Sequence, residues 1–127
     1  MLSIGDVADK SGTSTSAIRY YEQIGLIPAP ERVSGRRIYT DEILARLETI
    51  KLAQSAGFQI DEIKQLLDGF DSHVAPSERW KLMAKKKQEE LEEKIGHMTR
   101  MRAILANSLD CDCLSWEECL KGNIKKN

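Results

Sequence analysis

The chain has 127 residues, 41% hydrophobic and 31% charged, with a formal net charge of −1. That length supports one small domain, or a compact head with an appendage, and the charge density suits long solvent-facing helices. No apolar run approaches about 18 residues and no basic segment leads into an apolar stretch at the N-terminus, so neither a membrane-spanning helix nor a signal peptide is expected. In chain order, Ser3 is placed to cap a first helix through Ile4, Val7 and Ala8, with Asp6 favourable in its first turn. Gly12 ends that helix, and a second starts around Ser14 to Ser16 and runs through Ala17, Ile18, Tyr20 and Tyr21 to a stop at Gly25. Two helices joined by a short glycine-bearing turn read as a helix-turn-helix, with any small αα-hairpin as the alternative.

The helical period stops between Leu26 and Tyr39, where Pro28 and Pro30 forbid regular helix. Leu26-Ile27 and Arg37-Ile38-Tyr39 flank the turn signal Ser34-Gly35 and predict a short two-stranded wing. Thr40 is the expected cap of a third helix carrying Ile43, Leu44, Leu47, Ile50, Leu52 and Ala53, which stops at Gly57. Phe58, Ile60, Ile63, Leu66 and Leu67 give the apolar face of a fourth helix ending near Gly69. These elements place a winged helical head at residues 1–70 and a linker at 71–76.

Ser77 is the expected N-cap of a long helix over residues 77–107. Ala84, Leu91, Met98 and Leu105 recur every seven positions, with Ile95 and Met101 beside the stripe and Gln88 and Arg102 interrupting its second row. A narrow apolar seam on a highly charged helix asks for a partner helix, so these residues predict a homodimer through an antiparallel helix pair. The alternative is a helix folded back on its own head. The chain has only two Trp and two Phe, which also suits burial of apolar surface against a second copy.

The net charge does not favour nucleic acid, but a local basic patch is what an electrostatic footprint requires. Arg32, Arg36 and Arg37 crowd the wing and Arg19 lies on the second helix. Residues 108–127 form a cysteine-rich loop and tail, with Cys111, Cys113 and Cys119 inside nine positions. An odd number of clustered cysteines excludes a secreted disulfide scaffold and fits reduced thiols in a cytoplasmic protein. Thiolates are soft ligands for Cu(I), Zn, Hg-like ions and Fe–S clusters. His73 in the linker and His97 in the long helix are not convincing ligands. No His–Cys catalytic pair, phosphate loop or carboxylate dyad is legible, so an enzyme is not expected.

Ile4-Gly5-Asp6-Val7-Ala8, Ala17-Ile18-Arg19-Tyr20-Tyr21-Glu22, Gly25-Leu26, Arg37-Ile38-Tyr39 and Gly57-Phe58 follow one another in the order seen in the MerR family of transcriptional regulators, which this chain resembles over nearly its whole length. The resemblance implies a mainly α fold: a winged helix-turn-helix head, a small two-stranded wing, a long C-terminal dimerisation helix and a cysteine-bearing loop. It implies a homodimer on double-stranded promoter DNA whose signal-dependent distortion of the duplex realigns the promoter for RNA polymerase, a readout by deformation. Thr15, Ser16, Arg19 and Tyr20 match the family's recognition helix, Tyr21 a family tyrosine, and Arg36, Arg37 and Tyr39 the wing. Arg pairs bidentately with guanine or clamps phosphate, and Tyr and Ser hydroxyls bond phosphate oxygens. Adjacent helix residues cannot both face one way, so one of Tyr20 and Tyr21 is expected in the core and the other at DNA. Packing is the alternative for Tyr39.

The cysteine tail is similar to that of the SoxR branch of the family, whose [2Fe–2S] cluster uses four cysteines, but the first of the four falls here on Ser108. Cys111 and Cys119 also resemble the cysteine pair of the copper and gold sensors, with Ser77 matching a residue of those sensors. The open readings are a thiophilic metal ion on Cys111, Cys113 and Cys119, a cluster with an unusual ligand, a redox or thiol-reactive switch, and a structural zinc loop. Asp110, Asp112, Glu117 and Glu118 disfavour a bare thiolate and favour a bound cation, which ranks the metal first.

Overall fold

A computed structural model describes residues 1–121; the end of the predicted tail lies outside the described residues. The chain divides into two compact units, Met1–Met83 and the part from Ala84 onward.

In the first unit, α1 spans Ile4–Ser11 and opens on a capping box: Asp6 N–H donates to Ser3 Oγ at 3.1 Å, and Ser3 N–H donates to Asp6 Oδ2 at 3.2 Å. Gly12, at φ 71°, ends it in the left-handed conformation that glycine adopts without Cβ strain. Helix α2 spans Thr15–Gln23, and Ser14 caps it by accepting from Ala17 N–H at 3.1 Å. After Ile24 the chain turns at Gly25, φ 79°.

The wing is a two-stranded antiparallel ribbon of β1, Glu31–Val33, and β2, Arg36–Ile38. Ser34 and Gly35 join the strands with φ of 53° and 81°, the pattern of the type I′ turn that matches strand twist. The first strand is therefore not Leu26-Ile27. Those two residues are fully buried in the head core, where hydrophobic burial outweighs strand pairing at about 1.5–3 kcal/mol for each large aliphatic side chain. Tyr39 continues the ribbon by exchanging backbone hydrogen bonds with Leu2 at 2.7 and 2.8 Å.

Helix α3 spans Glu42–Ser55 and α4 spans Ile60–Asp68. Asp41 occupies the N-cap of α3 in place of the expected Thr40, because Thr40 lies one residue earlier and contributes its carbonyl to Ile43 N–H at 3.2 Å. Leu52 falls off the apolar face of α3 and is exposed, whereas Ile43, Leu47, Ile50 and Ala53 are buried. Val7, Ile18, Leu26, Ile27, Leu47, Ile50 and Ile63 are the largest fully buried side chains of this core.

Helix α5 runs unbroken from Pro76 to Ser108. Ser77 is therefore not its cap: Pro76 opens the first turn, where a missing N–H costs nothing. Within the first unit α5 contributes Met83 to the core, and Trp80 packs edge-on to Phe58 with ring centroids 6.1 Å apart. In the second unit α5 continues from Ala84, and a six-residue helix α6, Trp116–Lys121, follows the cysteine loop. Leu91, Ile95, Met98, Met101 and Leu105 are all exposed along α5, as is Ala84.

Candidate nucleic-acid interface and thiol cluster

The burial of Ile18 sets the orientation of α2, because the helix presents the opposite face to solvent. On that face lie Ser16, Arg19 and Tyr20, all exposed, with Thr15 half-buried beside them. Tyr20 is 50% exposed while Tyr21 packs against the core, and their rings meet at a centroid distance of 6.2 Å. One tyrosine thus faces inward and its neighbour outward.

Strand alternation separates the two wing arginines. Arg36 is exposed. Arg37 is half-buried, and its Nε donates to Glu22 Oε2 at 2.9 Å. Arg32 is exposed, and its Nη1 donates to the Gly35 carbonyl at 3.3 Å across the wing turn. Tyr39 is only 3% exposed, and its Oη is buried without a hydrogen-bond partner among the described residues. Its place is in the head core, so the side chain presents almost no surface to a duplex, while its backbone bridges to Leu2. Burial, followed by the charge of Glu22, raises the Tyr39 hydroxyl above its ordinary pKa.

Two side chains that the sequence does not flag hold this head together. Arg46 reaches from α3 to both carboxylate oxygens of Asp68, at 3.1 and 2.9 Å, and to the Leu26 carbonyl at 3.0 Å. Arg79, in the first turns of α5, donates to the carbonyls of Val74, Leu66, Leu67 and Asp71. A capping pattern gives no sign of either, because their acceptors, the Asp68 carboxylate and several backbone carbonyls, lie beyond the three- or four-residue reach of a cap.

In the second unit the sulfurs of Cys111, Cys113 and Cys119 lie within 4.8 Å of one another. Local geometry closes the loop. Ser115 caps α6 by accepting from Glu118 N–H at 3.2 Å, and the Glu118 carboxylate accepts from Leu114 N–H at 3.0 Å. The first turn of α6 then carries Cys119 back toward the other two thiols, where it is buried while Cys111 and Cys113 are half-buried. A hydrogen bond shared with the Cys111 thiol, then burial, then neighbouring negative charge push Cys113 up to about 12. Burial foremost raises Cys119 as well. Cys113 and Cys119 therefore hold their protons at neutral pH unless a cation replaces them. Three thiolates on one ion, with bonds of about 2.3 Å, sit about 4 Å apart, so the donor set fits a soft cation once the sulfurs close by up to about 1 Å.

Ser108 closes α5 with its Oγ donating to the Ile104 carbonyl at 2.7 Å, so its hydroxyl is committed to the helix. His97 is exposed, and His73 lies 3.4 Å from Asp71 on an exposed turn. Neither histidine belongs to the thiol cluster among the described residues.

A recognition helix set against a basic wing, on a chain that also carries a three-thiol cluster, defines a winged helix-turn-helix DNA-binding protein. Residues 2–69 match the family description "MerR HTH family regulatory protein" and residues 44–107 match "MerR, DNA binding". The chain belongs to the MerR family of helix-turn-helix transcription regulators. It is 39% identical over 103 residues to the mercuric resistance operon regulatory protein of Bacillus cereus, covering 80% of this chain and 78% of that protein. It is 30% identical over 119 residues to an HTH-type transcriptional activator SoxR homolog of Chromobacterium violaceum, covering 93% and 80% of the two chains. Among solved structures, the lead(II) complex of the regulator PbrR691 from Ralstonia metallidurans CH34 superposes with a TM-score of 0.68 at 27% identity, covering 98% of this chain and 96% of that one.

Proposed function

We propose that this chain is a cytoplasmic homodimeric regulator that binds promoter DNA and activates transcription when a thiophilic metal ion occupies Cys111, Cys113 and Cys119. The observation that carries the reading is the convergence of three sulfurs within 4.8 Å on a loop at the end of the long helix. The mercuric regulator and the lead(II)-bound structure among its relatives support a soft cation as the signal.

Thr15, Ser16, Arg19 and Tyr20 on α2 and Arg36 on the wing are the groups offered to the duplex. Arg19 and Arg36 supply bidentate or phosphate contacts, and the Ser, Thr and Tyr hydroxyls bond phosphate oxygens. The seam of Ala84, Leu91, Ile95, Met98, Met101 and Leu105 pairs with the same seam of a second copy. A cation bound at the loop would replace thiol protons and neutralise the thiolates that Glu118 and the neighbouring carboxylates otherwise oppose. Distortion of the duplex by the dimer then realigns the promoter for RNA polymerase. With three thiols in the group and the Ser108 hydroxyl bonded to the Ile104 carbonyl, a four-thiolate [2Fe–2S] cluster has no fourth ligand among the described residues. The raised Cys113 and Cys119 thiols also make poor nucleophiles for a redox or alkylation switch. Chemistry of this kind transmits a signal and needs no catalytic group.

The test is titration of the purified reduced dimer with Hg(II), Pb(II), Cu(I) and Zn(II), with transcription measured from the promoter it occupies. One ion per thiol cluster, and induction lost when all three cysteines are changed to serine while DNA binding persists, is the expected result. Induction that ignores the cysteines would replace this reading with a DNA-binding module carrying a structural zinc loop. A coloured, iron-bearing protein would replace it with a redox sensor.

A further inference from the structure

Arg36 and Arg37 are adjacent in sequence and equal in charge, yet the structure gives them different surroundings. Arg36 is exposed on β2, opposite Val33, while Arg37 pairs across the ribbon with Arg32 and turns its guanidinium toward α2. There Nε meets Glu22 Oε2 at 2.9 Å, with the two side chains 25% and 16% exposed. Glu22 lies in the last turn of α2, one turn beyond Arg19. The pair joins residues fifteen positions apart and spans from recognition helix to wing. Partly desolvated ion pairs of this kind are costly to break from one side, since the remaining charge is left without its partner.

We propose that Arg37 and Glu22 form a strut that fixes the wing against the recognition helix, and that Arg37 is a positioning residue and not a phosphate anchor. A duplex is gripped at two places at once, by α2 and by the wing. The spacing between those grips must match the groove, so whatever holds the wing sets affinity without touching DNA. The buried ring of Tyr39, directly after β2, backs the ribbon from the core side. Arg32 braces the wing turn through the Gly35 carbonyl and leaves Arg36 as the exposed cation of β2. The inference rests on the DNA-binding reading above, but it does not depend on which signal the cysteines detect.

The two roles differ in sign at Glu22. If Arg37 anchors phosphate, Glu22 is a carboxylate competing with DNA, and Glu22→Gln should tighten binding. If the pair is a strut, Glu22→Gln should weaken binding. The probe is a duplex selected by the wild-type protein from a random-sequence pool, with affinity measured by fluorescence anisotropy over a salt series. Glu22→Gln and Arg37→Gln are each expected to weaken binding about tenfold, and the double variant to be no worse than the weaker single, as coupled residues behave. Their salt slopes should stay at the wild-type value, while Arg36→Gln lowers the slope by about 0.9, the signature of one lost phosphate contact. The exchanged pair Glu22→Arg/Arg37→Glu should recover most of the affinity, which separates a strut from a folding defect. Tighter or unchanged binding by Glu22→Gln would overturn the proposal, as would a slope loss confined to Arg37→Gln. A wild-type protein that selects no duplex would overturn the DNA-binding reading and this inference with it.

Discussion

The guanidinium of Arg79 donates from Nη1 to the Leu67 carbonyl at 2.7 Å, so the first turns of the long helix hold the C-terminal end of α4. The last carbonyls of a helix lack intrahelical donors, and an arginine is well suited to satisfy several of them. Here the same group also takes the Val74 carbonyl at 2.9 Å and reaches Leu66 and Asp71 at 3.4 Å, with its carbon 5.7 Å above the Phe70 ring. At the last residue of α4, Asp68 accepts from Arg46, whose Nε reaches the Leu26 carbonyl just beyond α2.

Arg79→Ala leaves several carbonyls without donors and should destabilise the head by about 2–4 kcal/mol. Arg79→Lys, with a point charge in place of a planar fork, should recover less than half of that loss. Thermal unfolding followed by circular dichroism checks this. A melting temperature within a degree of wild type would show that water replaces the guanidinium at little cost.

Tyr39→Phe should fold at least as stably as the parent at neutral pH. It deletes a hydroxyl that is buried without a partner among the described residues, and removing such a group relieves a desolvation cost of about 1–3 kcal/mol. Its alkaline behaviour follows from the raised hydroxyl pKa. The fold favours the neutral phenol, so its contribution is complete below the unfolded value near 10 and is lost as pH rises above it. The variant should therefore resist unfolding above pH 10 better than wild type, and its affinity for the selected duplex should not change. A loss of duplex affinity at constant stability would return Tyr39 to the DNA interface.

The wing turn offers a graded test. Ser34 occupies a left-handed position that Asn or Gly fills at less cost, so Ser34→Asn should stabilise the ribbon slightly. Gly35→Ala meets no atom within 4 Å, so its cost is backbone strain alone, about 1–2 kcal/mol. Cross-strand contacts between Val33 and Arg36, followed by NMR, should strengthen in the first variant and fade in the second. Equal spectra would mean that the core side of the ribbon, and not its turn, sets the hairpin.

Leu91→Glu combined with Met98→Glu should convert the proposed dimer to monomer in sedimentation velocity, since both side chains are exposed on α5 and lie on the seven-residue repeat. The melting of the head should survive, because its core is contained in Met1–Met83. A variant that stays dimeric would place the interface on another face.

Features of the sequence that act over one turn were legible before any fold. Ser3 with Asp6, Ser14, Gly12, Gly25 and the Ser34-Gly35 turn are determined by hydrogen bonds and backbone angles spanning three or four residues, and each stands where local chemistry puts it. The spacing of Cys111, Cys113 and Cys119 likewise pointed to a thiol cluster, which a short helix closes. Where several local solutions were nearly equal, boundaries moved by a residue: Asp41 stands at the cap expected of Thr40, and Pro76 precedes Ser77 at the start of α5.

What only the tertiary structure decided is which side of each element meets another. Leu26-Ile27 alternates poorly with solvent and is drawn into the core, so the strand forms at Glu31–Val33. Tyr20 and Tyr21 are chemically alike, and only the burial of Ile18 orients one outward. Arg36 and Arg37 are the same residue type, and only the approach of α2 gives one of them a carboxylate. Capping and turn energies are short-ranged and written in neighbouring residues, whereas the partner of a long side chain depends on chain segments brought together by burial of the core.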